Sequence, residues 1–161
     1  MSDKIRVAGY VKLAKLWEKR REQAVAYHNS YYEGKFARST KFQLVGVYID
    51  ITGNKQTAKR PEMVRLLGDC SSGKVQCIAT QTKAYLAANM GDFCYLVKLL
   101  SEINGGIDLI TEDTDYQIDT VTDFDGQKKA LVGMADEYIR LNPDDYRLWK
   151  TAVTENFHGK G

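Results

Sequence analysis

The sequence is poor in residues that break or loosen a chain. It holds two prolines among 161 residues and no low-complexity tract, which excludes a disordered chain or a long internal linker. No apolar run approaches the roughly 20 residues needed to span a bilayer, so no membrane helix is expected. The opening MSDKIRVAGY has no apolar signal-peptide core and enters a strand pattern almost at once. Three cysteines, Cys70, Cys77 and Cys94, show no CxxC spacing and leave an odd thiol. They read as packing residues in a reducing compartment, and a cytoplasmic location is expected. There is no GxGxxG, no Walker loop and no metal-ligand constellation, so neither cofactor nor metal is expected. His28 and His158 lie far apart without ligand spacing, and both read as ordinary surface residues. The acids of 113–125 do not follow a calcium-loop spacing and read as a solvated loop.

What is present points to one sizeable core: 43% of the residues are hydrophobic and 27% charged. The net charge is only +2, but residues 1–60 hold 13 Lys and Arg against 5 Asp and Glu, whereas 61–161 hold 10 against 16. Such asymmetry suits an anionic partner, nucleic acid included, unless folding intermixes the halves.

Strand and helix patterns alternate, which predicts an α/β architecture. Strands are expected over 5–11, 42–49, 75–80 and 107–111. A helix is expected over 15–33, with Leu16, Val25, Tyr27 and Tyr31 among its apolar positions and Gly34 as its stop. Pro61 suits the first turn of a helix running to about Ser71. Further helices are expected over 93–103 and 127–141. Asn142 then reads as an N-cap and Pro143 as a first helical position, so the C-terminal helix is either broken or kinked there. The closing FHGKG reads as frayed. In open parallel sheets ligands sit beyond the carboxyl ends of the strands. Those ends offer Lys12-Leu13-Ala14, Asp50-Ile51-Thr52 and Thr80-Gln81-Thr82.

The ordered strings RVAGYVKLA, VYIDITG, KRPEMVRLLGDCSSGKVQCI and LVKLLSEINGGIDLITEDTDYQIDT resemble the catalytic domain of serine recombinases, the resolvase/invertase family, and within it the larger transposon and phage-integrase branch. The resemblance covers roughly residues 5–135. It implies a flavodoxin-like, mostly parallel sheet flanked by helices. Residues 1–125 would be the resolvase-like domain, and 126–161 a helical segment for oligomerisation or the start of a linker. It also implies a serine after the first strand that attacks a DNA phosphodiester, with arginines around the scissile phosphate. Guanidinium forks meet the charge that the transition state spreads over the phosphate oxygens.

Carried over position by position, the family pattern meets substitutions. Its opening Tyr-x-Arg-x-Ser stands here as Tyr10-Val11-Lys12-Leu13-Ala14, so a point charge replaces the fork at Lys12 and the nucleophile position is Ala14. A glutamine of the following helix corresponds to Gln23. The acid after the second strand matches Asp50, and the arginine of the basic loop matches Arg60. The paired arginines after the third strand become Tyr85 and Ala88, followed by a matching Asn89. The family's long helix after this domain builds the subunit interface, and Asn142-Pro143 interrupts it. The family's separate DNA-binding domain is not expected within these residues, unless they are a piece of a longer chain.

The expected function is therefore a serine site-specific recombinase-like protein of a mobile element that lacks strand-cutting chemistry and acts by binding DNA, an active recombinase or a second copy. Lys12, Lys15, Lys19, Arg20, Arg21, Lys55, Lys59 and Arg60 are the expected DNA-binding residues. Two alternatives stand beside it. One is an active strand-transfer enzyme with a shifted alignment or an unusual nucleophile, although Thr52, Thr80 and Thr82 near the strand ends are poor nucleophiles without an arginine cluster. The other is a small-ligand module built on a flavodoxin-like sheet.

Overall fold

The computed structural model describes residues 3–123 and 125–157. Four strands form one parallel sheet: β1 (Ile5–Leu13), β2 (Phe42–Ile51), β3 (Cys77–Thr80) and β4 (Asp108–Thr111), in the order β2-β1-β3-β4. The residues Val7–Val11 at the centre of β1 are all buried, as expected of a parallel strand covered on both faces. The order reverses between β1 and β3, so their carboxyl ends open the crevice where ligands of such sheets sit. A bulge between Val7 and Ala8 of β1 leaves Val45 of β2 unpaired, since Val7 aligns with Leu44 and Ala8 with Gly46.

Two layers of helix cover the sheet. On one face α1 (Arg21–Phe36) packs Tyr32 and Phe36 onto Val7, Val11, Ile49, Cys77 and Ala79. On the other face lie α2 (Pro61–Ser71), α4 (Met90–Glu102), α5 (Gln127–Leu141) and α6 (Pro143–Thr154). Their side chains share a single cluster with Tyr10 and Ile78 of the sheet, including Leu66, Leu96, Leu131 and Trp149. One short turn, α3 (Lys83–Leu86), sits above the carboxyl end of β1.

The expected alternation of elements holds, and so do the bounds of α2 and α5. The first helix differs from expectation. Residues Lys15–Arg20 form a 3-10 helix without a buried residue, and α1 begins only at Arg21. Gly34 does not stop it: a Cβ there would meet nothing within 4 Å, so this glycine lies on the open side of a helix that continues to Phe36. The buried stripe is Ala24, His28, Tyr32 and Phe36 at steps of four, whereas Leu16 is 74% exposed and Tyr27 is exposed as well. The register is set by Gly9. Its missing side chain lets the Tyr32 ring lie on β1, where a Cβ would stand 2.7 Å from the ring. His28 is thus a core residue and not a surface one; His158 lies outside the described residues.

The C-terminal alternatives resolve to two helices. Asn142 leaves the helical region (φ −142°, ψ 62°), and Pro143 opens α6, although the Asn142 side chain makes no capping bond. From α6, the Tyr146 hydroxyl and the Lys150 ammonium both reach Glu102 of α4, at 2.8 and 3.0 Å. Phe157 packs against the same cluster, so that part of the closing stretch is anchored; the rest lies outside the described residues. The acidic stretch is not simply a solvated loop, because Ile118 and Thr120 run antiparallel to β4 and hydrogen-bond it. All three cysteines are buried and free. Among the described residues no helix is long and apolar enough to cross a membrane.

Candidate functional site

At the carboxyl end of β1 the backbone delivers Lys12, half-buried and level with Asp50 of β2, and then Ala14. Ala14 is exposed and extended (φ −64°, ψ 152°), and its carbonyl accepts the Trp17 N–H that opens the 3-10 helix. The position is open to a substrate, and a methyl group occupies it.

Asp50, paired with Lys12 and so on the same face of the sheet, is turned inward. It is only 4% exposed. Oδ1 accepts the Glu62 N–H at 2.9 Å, and Oδ2 accepts both the Met63 N–H at 2.9 Å and the Tyr10 hydroxyl at 2.8 Å. These are the first amides of α2, whose own N-cap residue Arg60 supplies no side-chain cap. A strand carboxylate therefore does the capping, where free N–H groups and the helix dipole both favour negative charge. Burial pushes the Tyr10 hydroxyl far above the ordinary tyrosine range; the Asp50 charge adds to this and Arg60 opposes it. Tyr10 is a neutral, permanent donor.

Arg60 corrects an expectation. Taken as part of a basic surface, it is 1% exposed. Its guanidinium donates to main-chain carbonyls: Nε to Asn54 at 3.2 Å, and Nη1 to Tyr85 at 2.6 Å and Leu86 at 3.5 Å. A buried cation needs such acceptors, and here they staple the loop after β2 and the α3 turn to the start of α2. Thr57 strengthens the same junction by donating Oγ1 to the Leu86 carbonyl and its N–H to Asp92.

The two positions that stand for paired arginines differ from each other. Tyr85 is half-buried against both apolar clusters, and burial raises its hydroxyl pKa. Ala88 is exposed. Asn89 caps α4 by accepting the Asp92 N–H at 2.9 Å. The hydroxyls nearest the strand ends are engaged locally. Thr80 Oγ1 donates to the Tyr10 carbonyl, Thr82 Oγ1 accepts the Ala84 N–H, and Thr52 Oγ1 accepts the Asn54 N–H.

Of the expected basic residues, Lys15, Lys19, Arg20 and Arg21 are exposed along the 3-10 helix and the start of α1, as are Lys55 and Lys59 in the loop after β2; Gln23 is exposed too. Arg21 is committed to Glu18 through a two-nitrogen contact at 2.6 and 2.8 Å. The structure thus joins Tyr10, Asp50, Arg60 and the Tyr85 carbonyl into one buried junction and leaves Ala14 and Ala88 outside it. Tyr10 is visible in the sequence as a hydroxyl in the otherwise apolar centre of β1, and a buried tyrosine usually finds a partner.

The fold has solved counterparts. It is similar to the N-terminal catalytic domain of TP901-1 integrase (TM-score 0.54, 19% identity, 85% of this chain and 98% of that one). It is also similar to a resolvase-family site-specific recombinase from Streptococcus pneumoniae (TM-score 0.56, 14% identity, 98% of this chain and 100% of that one). No protein-family model and no curated protein matches the sequence. At these identities the likeness is one of fold: the chain has the resolvase-type fold that its ordered strings predict.

Proposed function

We propose that this protein is a serine-recombinase-type domain that has lost strand cutting and works by binding. The observation that carries the reading is Ala14: the position is exposed at the end of β1, where the fold's chemistry needs a hydroxyl, and alanine has none to offer. Tyr85 and Ala88 supply no guanidinium, while Asp50 and Arg60 spend their charges on the backbone. Losing a charge-stabilising donor lowers a rate by about 100-fold or more, and losing the nucleophile removes the covalent route. Asp50 and Arg60 outlast the chemistry because the fold needs them.

In this reading residues 1–125 are the recombinase-type domain, 126–161 are an appended helical segment, and the protein acts in the cytoplasm on DNA or on an active recombinase, itself part of a mobile element. Lys15, Lys19, Arg20, Lys55 and Lys59 supply the phosphate contacts. The test is a nicked DNA duplex carrying a recombination site, incubated with the purified protein and run under denaturing conditions. No covalent protein–DNA band is expected. A band whose link maps to any hydroxyl overturns the reading. Replacing Lys19 and Arg20 by Glu is expected to weaken DNA binding and flatten its salt dependence, and unchanged affinity would remove this surface from the proposal.

A further inference from the structure

The sheet has two margins, β2 and β4, and the chain treats them differently. It closes the β4 margin itself: the Thr111 N–H donates to the Ile118 carbonyl at 2.8 Å and the Thr120 N–H to the Leu109 carbonyl at 3.1 Å. Among the described residues nothing pairs with the outer side of β2. The Thr52 N–H donates to Leu13 of β1. Because a parallel ladder alternates sides, Tyr48 and Asp50 also bond inward, and the N–H and C=O groups of Val47, Ile49 and Ile51 point away from the sheet. Natural edges are usually blunted by lysine, proline or a bulge. FQLVGVYIDI contains no lysine and no proline, and its one bulge, at Val45, lies before this stretch.

This open edge is sunk in a groove of about 550 Å³. Its floor is Val47 and residues 49–52, one wall is Arg21, Val25 and Asn29 of α1, and the other is Pro61 and Glu62 of α2. Since α1 and α2 cover opposite faces of the sheet, a groove touching both follows the margin of the strand. Ile49 is only 8% exposed.

The geometry points to a docking site at Val47–Ile51 for an extended segment of a partner protein, added to the sheet as a fifth strand. Outward N–H and C=O groups at ladder spacing are matched by another extended main chain, and neither a helix nor a nucleic acid presents that pattern. A second copy does not fit, because its own β2 edge is recessed between the same two helices and two recessed edges cannot meet. Charge fixes the segment's character. The charged groups at the lips are already neutralised, Arg21 by Glu18 and Glu62 by Arg65, each at 2.6 Å, and the other residues of the two walls, Val25, Asn29 and Pro61, carry no charge. The segment is therefore uncharged, with apolar residues at alternate positions. The edge spans about 13 Å at 3.3 Å per residue, which is room for four or five residues. The inference does not depend on any relation to recombinases.

The probe is a displayed library of random ten-residue peptides selected against the whole protein, followed by titration of a synthetic selected peptide. Alternating apolar sequences are expected to be enriched and to slow amide exchange at Val47, Ile49 and Ile51. Methylating alternate backbone nitrogens of the peptide is expected to weaken binding at least tenfold with the protein itself unaltered. Val47→Pro, which removes an outward N–H and no ladder bond, is expected to weaken binding similarly while the circular dichroism spectrum stays unchanged. The proposal is overturned if no peptide is enriched, if protection falls elsewhere, or if methylated and plain peptides bind alike. It is equally overturned if sedimentation shows a dimer that Val47→Pro dissolves, since the occupant is then a second copy. None of these readouts involves DNA, so a covalent DNA adduct and a failed peptide selection remain separate results.

Discussion

The Tyr10 hydroxyl and the Asp50 carboxylate meet at 2.8 Å across the buried side of β1 and β2, and the same carboxylate oxygen receives the Met63 amide from the first turn of α2. One hydrogen-bonded junction thus fixes two strands and a helix at the end of the sheet where a recombinase-type fold would carry its chemistry. Arg60 locks the adjoining loop from the other side through main-chain carbonyls. Asp50 and Arg60, which the resemblance makes candidate catalytic charges, are both hydrogen-bonded into the scaffold.

If so, stability should follow the number of donors left without an acceptor. Asp50→Ala strands two amides and a hydroxyl, and a loss of about 3 kcal/mol is expected. Tyr10→Phe removes one donor and leaves the carboxylate with its two amides, so about 1 kcal/mol is expected. Urea unfolding of the two variants beside the parent protein measures both. Equal, small losses would detach Asp50 from the architecture.

The face-on contact of Tyr32 with Gly9 makes a second prediction. Gly9→Ala places a methyl within 2.7 Å of the ring, an overpacking expected to cost about 2 kcal/mol. Adding Tyr32→Leu should return part of that loss, giving a coupling of about 1 kcal/mol between the two sites. A double-mutant cycle by thermal or urea unfolding reads it directly, and strict additivity would contradict the contact.

These two contacts also show what the sequence could disclose. Local punctuation was legible: Pro61 started α2, Pro143 started α6, and the apolar runs became the strands. The sheet-facing stripe of α1 was not, because Tyr32 is selected by a glycine 23 positions earlier on another element, and Leu16 and Tyr27 fit an apolar helix face equally well on paper. Within the site, the positions of Ala14, Asp50 and Arg60 were legible from motif order. The burial of Arg60 was not, since arginine is almost never fully buried and its acceptors are carbonyls of loops that only folding brings together. The edge groove left no motif at all, being a property of which strand ends up outermost.

Buried and half-buried titratable groups predict how stability depends on pH on either side of neutrality. Burial, with Asp69 adding to it, pushes the Cys70 thiol from its ordinary 9.0 up to about 12. The unfolded chain therefore releases this proton from about pH 9, while the folded one holds it until about pH 12. The stability present below pH 9 should drain away over that interval at about 1.4 kcal/mol per pH unit. Tyr31, pushed up to about 12 by burial and by its bond to Glu112, adds to the decline above pH 10. On the acid side burial lowers the pKa of His28, whose Nδ1 has no hydrogen-bond partner. Its contribution is present above the ordinary value of 6.5 and is lost as pH falls through the depressed folded value, because the unfolded chain takes up the proton first. Urea unfolding from pH 5 to 11 should show a dome. Cys70→Ala is expected to lower the slope of the alkaline limb between pH 9 and 11 by about 1.4 kcal/mol per pH unit, Cys77 and the buried tyrosines, also pushed up by burial, supplying the rest, and His28→Leu is expected to flatten the acid limb below pH 6.5. A limb that keeps its slope in the matching variant assigns the proton to another group.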